Sequence, residues 1–131
     1  MKVTKFLLTL TAILFGAFHL AAQQPAQQQE DARNGKIGPY AIQMFITLSD
    51  ATEGDIVGYY IYTDRPATQF KLKLQHMEAI NAEGSMNVVL DEYSPRGKHT
   101  GTFNGQYECR GSLYEGTFTN SKGKRFKFQV E

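Results

Sequence analysis

The sequence predicts an antiparallel all-β domain, an up-and-down meander of seven to eight short strands, from three observations. Phe70-Lys71-Leu72-Lys73-Leu74 alternates apolar and basic side chains without a fault, and Arg125-Phe126-Lys127-Phe128-Gln129-Val130 repeats the pattern. Successive side chains of a strand point to opposite faces, so each segment has one face for a core and one for water. From Tyr40 onward such segments are separated by clusters of Gly, Pro, Asn, Asp and Ser, the residues that turn a chain.

Ahead of these strands the chain opens on Lys2 and Lys5, an apolar run from Phe6 to Phe18, and small residues at Ala21-Ala22. That pattern predicts a secretory signal peptide over residues 1–22, cleaved near Ala22-Gln23. The run is short for a bilayer span, and the competing reading is an uncleaved membrane anchor. No Cys follows it, so lipid anchoring at a lipobox cysteine is not expected. The expectation is an exported protein, periplasmic or secreted, without a stable membrane anchor. Residues 23–35 (QQPAQQQEDARNG) are polar and Gln-rich and read as a flexible leader. Residues 36–131 are then left for one small β domain.

The whole chain carries 14 Lys and Arg against 13 Asp and Glu, and residues 1–22 hold two lysines and no acid, which leaves 12 against 13 beyond them. A balance so close to neutral argues against nucleic acid or an anionic membrane as principal partner. A single cysteine, Cys109, makes no internal disulfide, so packing must hold the core.

Seven strands are predicted: Tyr40–Leu48, Ile56–Thr63, Gln69–Met77, Ser85–Tyr93, Thr100–Cys109, Ser112–Asn120 and Arg125–Val130. An eighth arises if Asn104-Gly105, a hairpin dipeptide, splits the fifth strand; a bend within one long strand is preferred because both flanks keep one alternation. Short loops join antiparallel neighbours, and curling the sheet until its edges meet removes exposed edge strands. A small closed or nearly closed barrel is therefore expected, with a two-sheet sandwich as the alternative.

Alternation assigns faces. Leu72 and Leu74 point inward with Phe70, and Lys71 and Lys73 outward; Met86, Val88 and Leu90 point inward, and Asp91 outward, where it faces a lysine of the preceding strand. In the fifth strand Phe103, Tyr107 and Cys109 share the inner face with Gly101 and Gly105, while Thr100 and Thr102 lie outside. Cys109 is thus expected to be a buried structural thiol. Leu72, Leu74, Val88, Leu90, Phe103, Phe118, Phe126 and Phe128 are expected in one core.

A meander also gathers alternate loops at one end. Arg65, Arg96, Lys98, Lys122, Lys124 and Arg125 fall in or beside one set of loops with Asp64 the lone acid, while the other set carries Asp50, Glu53, Asp55, Glu78 and Glu83 against Arg110. The alternative is that loops are simply polar and the sorting is chance.

Residues able to carry catalysis or bind metal are sparse. His76, at the end of an apolar face, and His99 have no second ligand at zinc spacing, and no nucleophile-elbow pattern accompanies them. Asp50, Glu53 and Asp55 surround Gly54 without the spacing of a calcium loop, and turns favour Asp in any case. Asp91 and Glu92 are adjacent but point to opposite faces, so they do not form a glycosidase pair. An inward Glu92 near a barrel mouth is the polar group to look for. Ile56-Val57-Gly58-Tyr59-Tyr60-Ile61-Tyr62 is apolar on both faces, so part of the Tyr59, Tyr60, Tyr62 set is expected outside, where tyrosine suits carbohydrate or protein contact; a double-sided core is the other reading.

Gly58-Tyr59-Tyr60-Ile61-Tyr62, Gly101-Thr102-Phe103-Asn104-Gly105 and Tyr114-Glu115-Gly116-Thr117-Phe118 resemble the G-x-Y-x-Y, G-x-F-x-G and Y-x-G-x-F strand signatures of a group of small exported bacterial β proteins. The resemblance covers most of residues 56–130 and implies a fold pattern, with no shared activity. Tyr114 to Asn120 is also similar to a single copy of a MORN motif. The general shape is similar to calycin-type barrels such as avidins and lipocalins, but with no Trp the chain lacks their tryptophan-bearing signatures and no ligand is implied.

The expected function is that of a non-enzymatic exported binding module for an anionic glycan or cell-envelope component. Its ligand-binding residues are expected to be Arg65, Arg96, Lys98, Lys122, Lys124 and Arg125 at the basic loop end, or Tyr59, Tyr60 and Tyr62, with no cofactor and no metal. The alternative is a protein-binding inhibitor of a cationic, lysozyme-like enzyme acting through the acidic loops. A monomer or weak dimer is expected.

Overall fold

The computed structural model describes residues 31–110 and 112–131; the expected signal peptide, residues 1–22, and residues 23–30 of the expected leader lie outside them. The strands are β1 (Asp31–Ile37), β2 (Tyr40–Ile46), β3 (Ile56–Tyr62), β4 (Phe70–Ala79), β5 (Ser85–Tyr93), β6 (His99–Glu108), β7 (Leu113–Asn120) and β8 (Arg125–Val130). Each pairs antiparallel with its chain neighbour, and β1 pairs with β8, closing an eight-stranded meander barrel. A two-sheet sandwich is thereby excluded. Closure pairs the two terminal strands over Gly35–Ile37 and Phe128–Val130, where an open sheet would leave edge backbone groups free.

The eighth strand comes from the segment read as leader, not from a split at Asn104-Gly105. β1 begins at Asp31, inside that segment, and pairs with β2 along its whole length, from Asp31↔Ile46 to Ile37↔Tyr40. Its inner face carries Arg33, Gly35 and Ile37, so it has no apolar alternation to read; the partner edges of β2 and β8 hold it in place. Gly38-Pro39 makes the turn to β2, with Gly38 at φ 56°, the positive φ that the first position of a tight hairpin takes from glycine. β6 runs unbroken through Asn104-Gly105. Gly105 faces Gly116 across the β6–β7 pair, and a Cβ on Gly105 would lie 2.2 Å from the Glu115 carbonyl oxygen. Close strand approach, rather than a turn, accounts for that glycine.

Side chains fill the barrel interior, as expected at this strand number. Phe103 is its centre, 0 % exposed, with the rings of Phe118, Phe128 and Tyr60 at centroid distances of 4.7, 5.0 and 5.3 Å. Leu72, Leu74, Val88, Leu90, Phe118 and Phe128 join it as expected, while Phe126 is only half-buried, packed against the core near one mouth. Tyr114 donates its hydroxyl proton to the Val88 carbonyl at 2.9 Å, so its burial strands no polar atom.

Three register shifts move side chains off the simple alternation. Leu74 pairs with Leu90 but His76 pairs with Val89, so Gln75 is an extra residue and Met77, not His76, packs against the core. His76 instead faces Glu53 at 3.3 Å and Glu78 at 3.0 Å, and these carboxylates hold its imidazole above the usual histidine range, Glu78 first. Between β5 and β6, Glu92 pairs with Gly101 and Tyr93 with His99, which leaves Thr100 as the extra residue. A third shift lies between Ile56 and Gly58. Asp91 lies opposite Lys73 as expected, yet its carboxylate meets Gln75, Thr102 and His99, and the Lys73 ammonium lies 5.0 Å from the Tyr93 ring centre.

Cys109 corrects a second expectation. The inward alternation of β6 stops with Tyr107 and the strand with Glu108, so Cys109 falls in the following turn and is exposed. Rapid labelling of the native protein by a thiol reagent is the expected result, close to the rate in denaturant, since access no longer limits the reaction. Labelling slowed a hundredfold in the native state would return this thiol to the core.

Candidate functional site

In a closed meander, the β1–β2, β3–β4, β5–β6 and β7–β8 connections share one end of the barrel. Arg65, Arg96, Lys98, Lys122 and Lys124 lie in those loops and Arg125 opens β8, so all six cations belong to that end. The β2–β3, β4–β5 and β6–β7 connections, with the acidic residues Asp50, Glu53, Asp55 and Glu83, form the other end. There Asp55 accepts from the Thr52 amide at 2.9 Å and shapes its own turn, and Glu53 faces His76. Among the described residues, no group of three or more His, Cys, Asp or Glu is placed to hold a metal ion.

At the basic end the barrel opens into a cup of about 410 Å³, lined by Ile37, Tyr40, Tyr62, Arg65, Phe70, Glu92, Thr100, Phe118, Asn120 and Phe126. Tyr40 sits between its two aromatic walls, edge-on to Tyr62 at 6.2 Å and to Phe126 at 6.4 Å. Phe70 stands edge-on to Tyr62 at 5.9 Å. Cations cap these walls: the Arg65 guanidinium lies 4.9 Å from the Tyr62 ring centre, and the Lys124 ammonium 5.3 Å from that of Phe126. Asp64 is 3.6 Å from Arg65, but both side chains are well exposed, so this pair does little to hold Arg65 back from a ligand.

The floor of the cup is Glu92, only 4 % exposed. Tyr60 donates its hydroxyl proton to Oε2, and Thr100 donates to Oε1 at 3.1 Å. Burial raises the Glu92 pKa above its ordinary value, and these two hydrogen bonds and nearby His99 offset only part of that effect. Tyr60 is pushed well up as well, first by burial and then by the neighbouring Glu92. The carboxyl therefore keeps its proton to higher pH than an exposed glutamate does.

Gly101, directly across from Glu92, makes room for this arrangement. A Cβ there would come within 2.5 Å of the Phe118 ring and 2.7 Å of Glu92 Oε1. The register shift at Thr100 turns its hydroxyl from the outer face, where strict alternation puts it, toward the carboxyl.

The three tyrosines go to three places. Tyr62 lines the cup, Tyr60 is fully buried behind it against Tyr62, Phe70 and Glu92, and Tyr59 stacks on Phe45 on the outer wall at 4.8 Å. They do not form one exposed face. Of the six cations, Arg65 lines the cup and Lys124 covers a wall residue, while Arg96, Lys98, Lys122 and Arg125 are exposed on neighbouring loops and on β8.

No family model, no curated protein and no solved structure matches this chain. The site must be read from its own geometry.

Two other features differ from the cup in their lining. A groove of about 740 Å³ on the outer wall of β1, β8 and β7 is larger, but its long side chains, such as Lys36, Glu115, Lys127 and Gln129, are exposed and no buried acid or base faces it. Arg33, 2 % exposed, lies inside the barrel toward the acidic end, its guanidinium 4.8 Å from the Tyr107 ring centre and its Nε donating to the Ser112 carbonyl at 3.0 Å. The chain thus buries a cation toward its acidic end and an acid at its basic end. The expected leader hid Arg33 from sequence reading. Thr100 was hidden by its register shift, and Phe118 and Phe126 read simply as core.

Proposed function

We propose that this chain is a non-enzymatic exported binding module that holds an anionic glycan or similar envelope component at the basic end of the barrel. The observation that carries the reading is Arg65, which lines an aromatic cup while five further cations stand on the same end. Cations around one mouth reinforce one another's potential and attract anions although net charge is near zero. The planar fork of arginine matches carboxylate and sulfate oxygens. Aromatic walls supply flat apolar faces for the C–H face of a sugar ring, and a cup of about 410 Å³ lies in the lower part of the size range of ligand pockets.

Changing Arg65, Arg96 and Lys122 together to Ser is expected to abolish binding to acidic glycans while the thermal midpoint stays nearly unchanged, because all three are exposed. An array of acidic and neutral glycans, probed at low and physiological salt, checks this. Wild-type binding should be confined to acidic glycans and weaken markedly with salt. Equal binding by wild type and triple variant, or no acidic glycan bound at either salt, overturns the reading.

A further inference from the structure

Rim charge alone does not need an acid beneath it. A buried carboxyl in a small core is costly unless its oxygens are satisfied, and one beside a cavity is costly again when an apolar ligand covers it. This barrel nevertheless places Glu92 at the floor of the cup with three separate accommodations: the Tyr60 hydroxyl on one oxygen, the register shift that brings Thr100 to the other, and Gly101 where a Cβ would meet Glu92 Oε1 at 2.7 Å. Each carboxyl oxygen has a second lone-pair site, and each hydroxyl can accept as well as donate. With both hydroxyl protons given to Glu92, the floor offers acceptor lone pairs to whatever enters between the aromatic walls, and a donor where the carboxyl holds its own proton. A ligand hydroxyl, itself donor and acceptor, matches it; a hydrocarbon chain does not.

We propose that the cup takes one terminal sugar-acid ring, with its hydroxyls on Glu92 and Thr100, its C–H face against Tyr62 or Phe126, and its carboxylate at Arg65. This inference rests on the anionic-ligand reading above and adds the ligand class. Three chemistries converge on the cup: a fork for the anion at the lip, flat apolar walls for the ring, and paired oxygens for hydroxyls below. A hydroxyl-free anion engages the first two and leaves the floor uncovered by any polar partner. Discrimination against it of about tenfold or more follows from leaving such groups unpaired. A neutral sugar engages the floor and walls but not Arg65.

The test titrates the full mature chain with methyl glucuronoside, methyl glucoside and octanoate, following the Thr100 and Gly101 amides by NMR, with dextran sulfate as a probe that needs only the rim. Wild type is expected to bind methyl glucuronoside at least tenfold more tightly than either of the other small probes. Thr100→Val and Glu92→Leu should each weaken methyl glucuronoside about tenfold and leave dextran sulfate binding within twofold, whereas Glu92→Gln, which keeps a donor and an acceptor, should retain most of the affinity. If Glu92→Leu does not fold, Thr100→Val carries the comparison. Octanoate bound as tightly as methyl glucuronoside, or Thr100→Val without effect on it, overturns the sugar-acid assignment while dextran sulfate binding leaves the rim reading standing. Failure to bind dextran sulfate and methyl glucuronoside alike removes both.

Discussion

Phe103→Ala is expected to cost about 3–5 kcal/mol of folding stability, the range for emptying a fully buried aromatic site. Phe103 is the ring on which both halves of the barrel meet: it touches Tyr60 of β3 on one side and Phe118 and Phe128 of β7 and β8 on the other. Its strand neighbours, Leu90 and Phe118, are themselves buried, so little around the site is free to collapse into the space. A domain of this size commonly has only ~5–15 kcal/mol in total, and no internal disulfide shares the burden. Urea unfolding of variant and wild type measures the difference through their midpoints. A loss below about 1 kcal/mol, typical of a surface change, would mean that Phe103 is not the centre of the core.

Glu92→Gln is expected to make the protein more stable than wild type above the ordinary carboxyl range. Burial favours the neutral carboxyl, so the folded chain binds the Glu92 proton more tightly than the unfolded chain, whose group titrates near 4.5. Below about 4.5 the proton is present in both states and its stabilising contribution is complete. As pH rises through the folded value, that contribution is lost, because the native state must then hold a buried charge. Glutamine stays neutral and keeps an acceptor and a donor for the Tyr60 and Thr100 hydroxyls. Thermal midpoints of the two proteins should run close together at low pH and separate as pH rises, with the variant the more stable. His76, whose pKa is also raised, is present in both proteins and cancels in the difference. Parallel profiles across the whole pH range would mean that Glu92 ionises in the folded state as freely as in the unfolded chain.

Strand alternation and turn chemistry made most of the barrel legible in advance, and the misses have particular causes. Seven of the eight strands are the segments that a period-2 reading picks out, although register shifts interrupt the alternation in three of their pairings. β1 is not among them, since its inner face is Arg33, Gly35 and Ile37; the Gly38-Pro39 dipeptide was the available signal for its hairpin. Cys109 was carried inward by extending an alternation past the end of its strand. His76 and Thr100 were each misassigned where a register shift inserts one residue, and a shift of one residue exchanges the faces.

By itself, the sequence determined the all-β class, the meander order and hence the gathering of six cations at one end, because short connections permit little else and alternate loops of a meander must coincide. Only the tertiary structure decided that the barrel closes through a polar first strand, that Tyr59, Tyr60 and Tyr62 part company, and that Arg65 lines the cup in which Glu92 meets Tyr60 and Thr100. The cup draws residues from β3, the β3–β4 loop, β5 and β6, and a strand's own pattern reports which face a side chain takes, not which neighbour's side chain waits there.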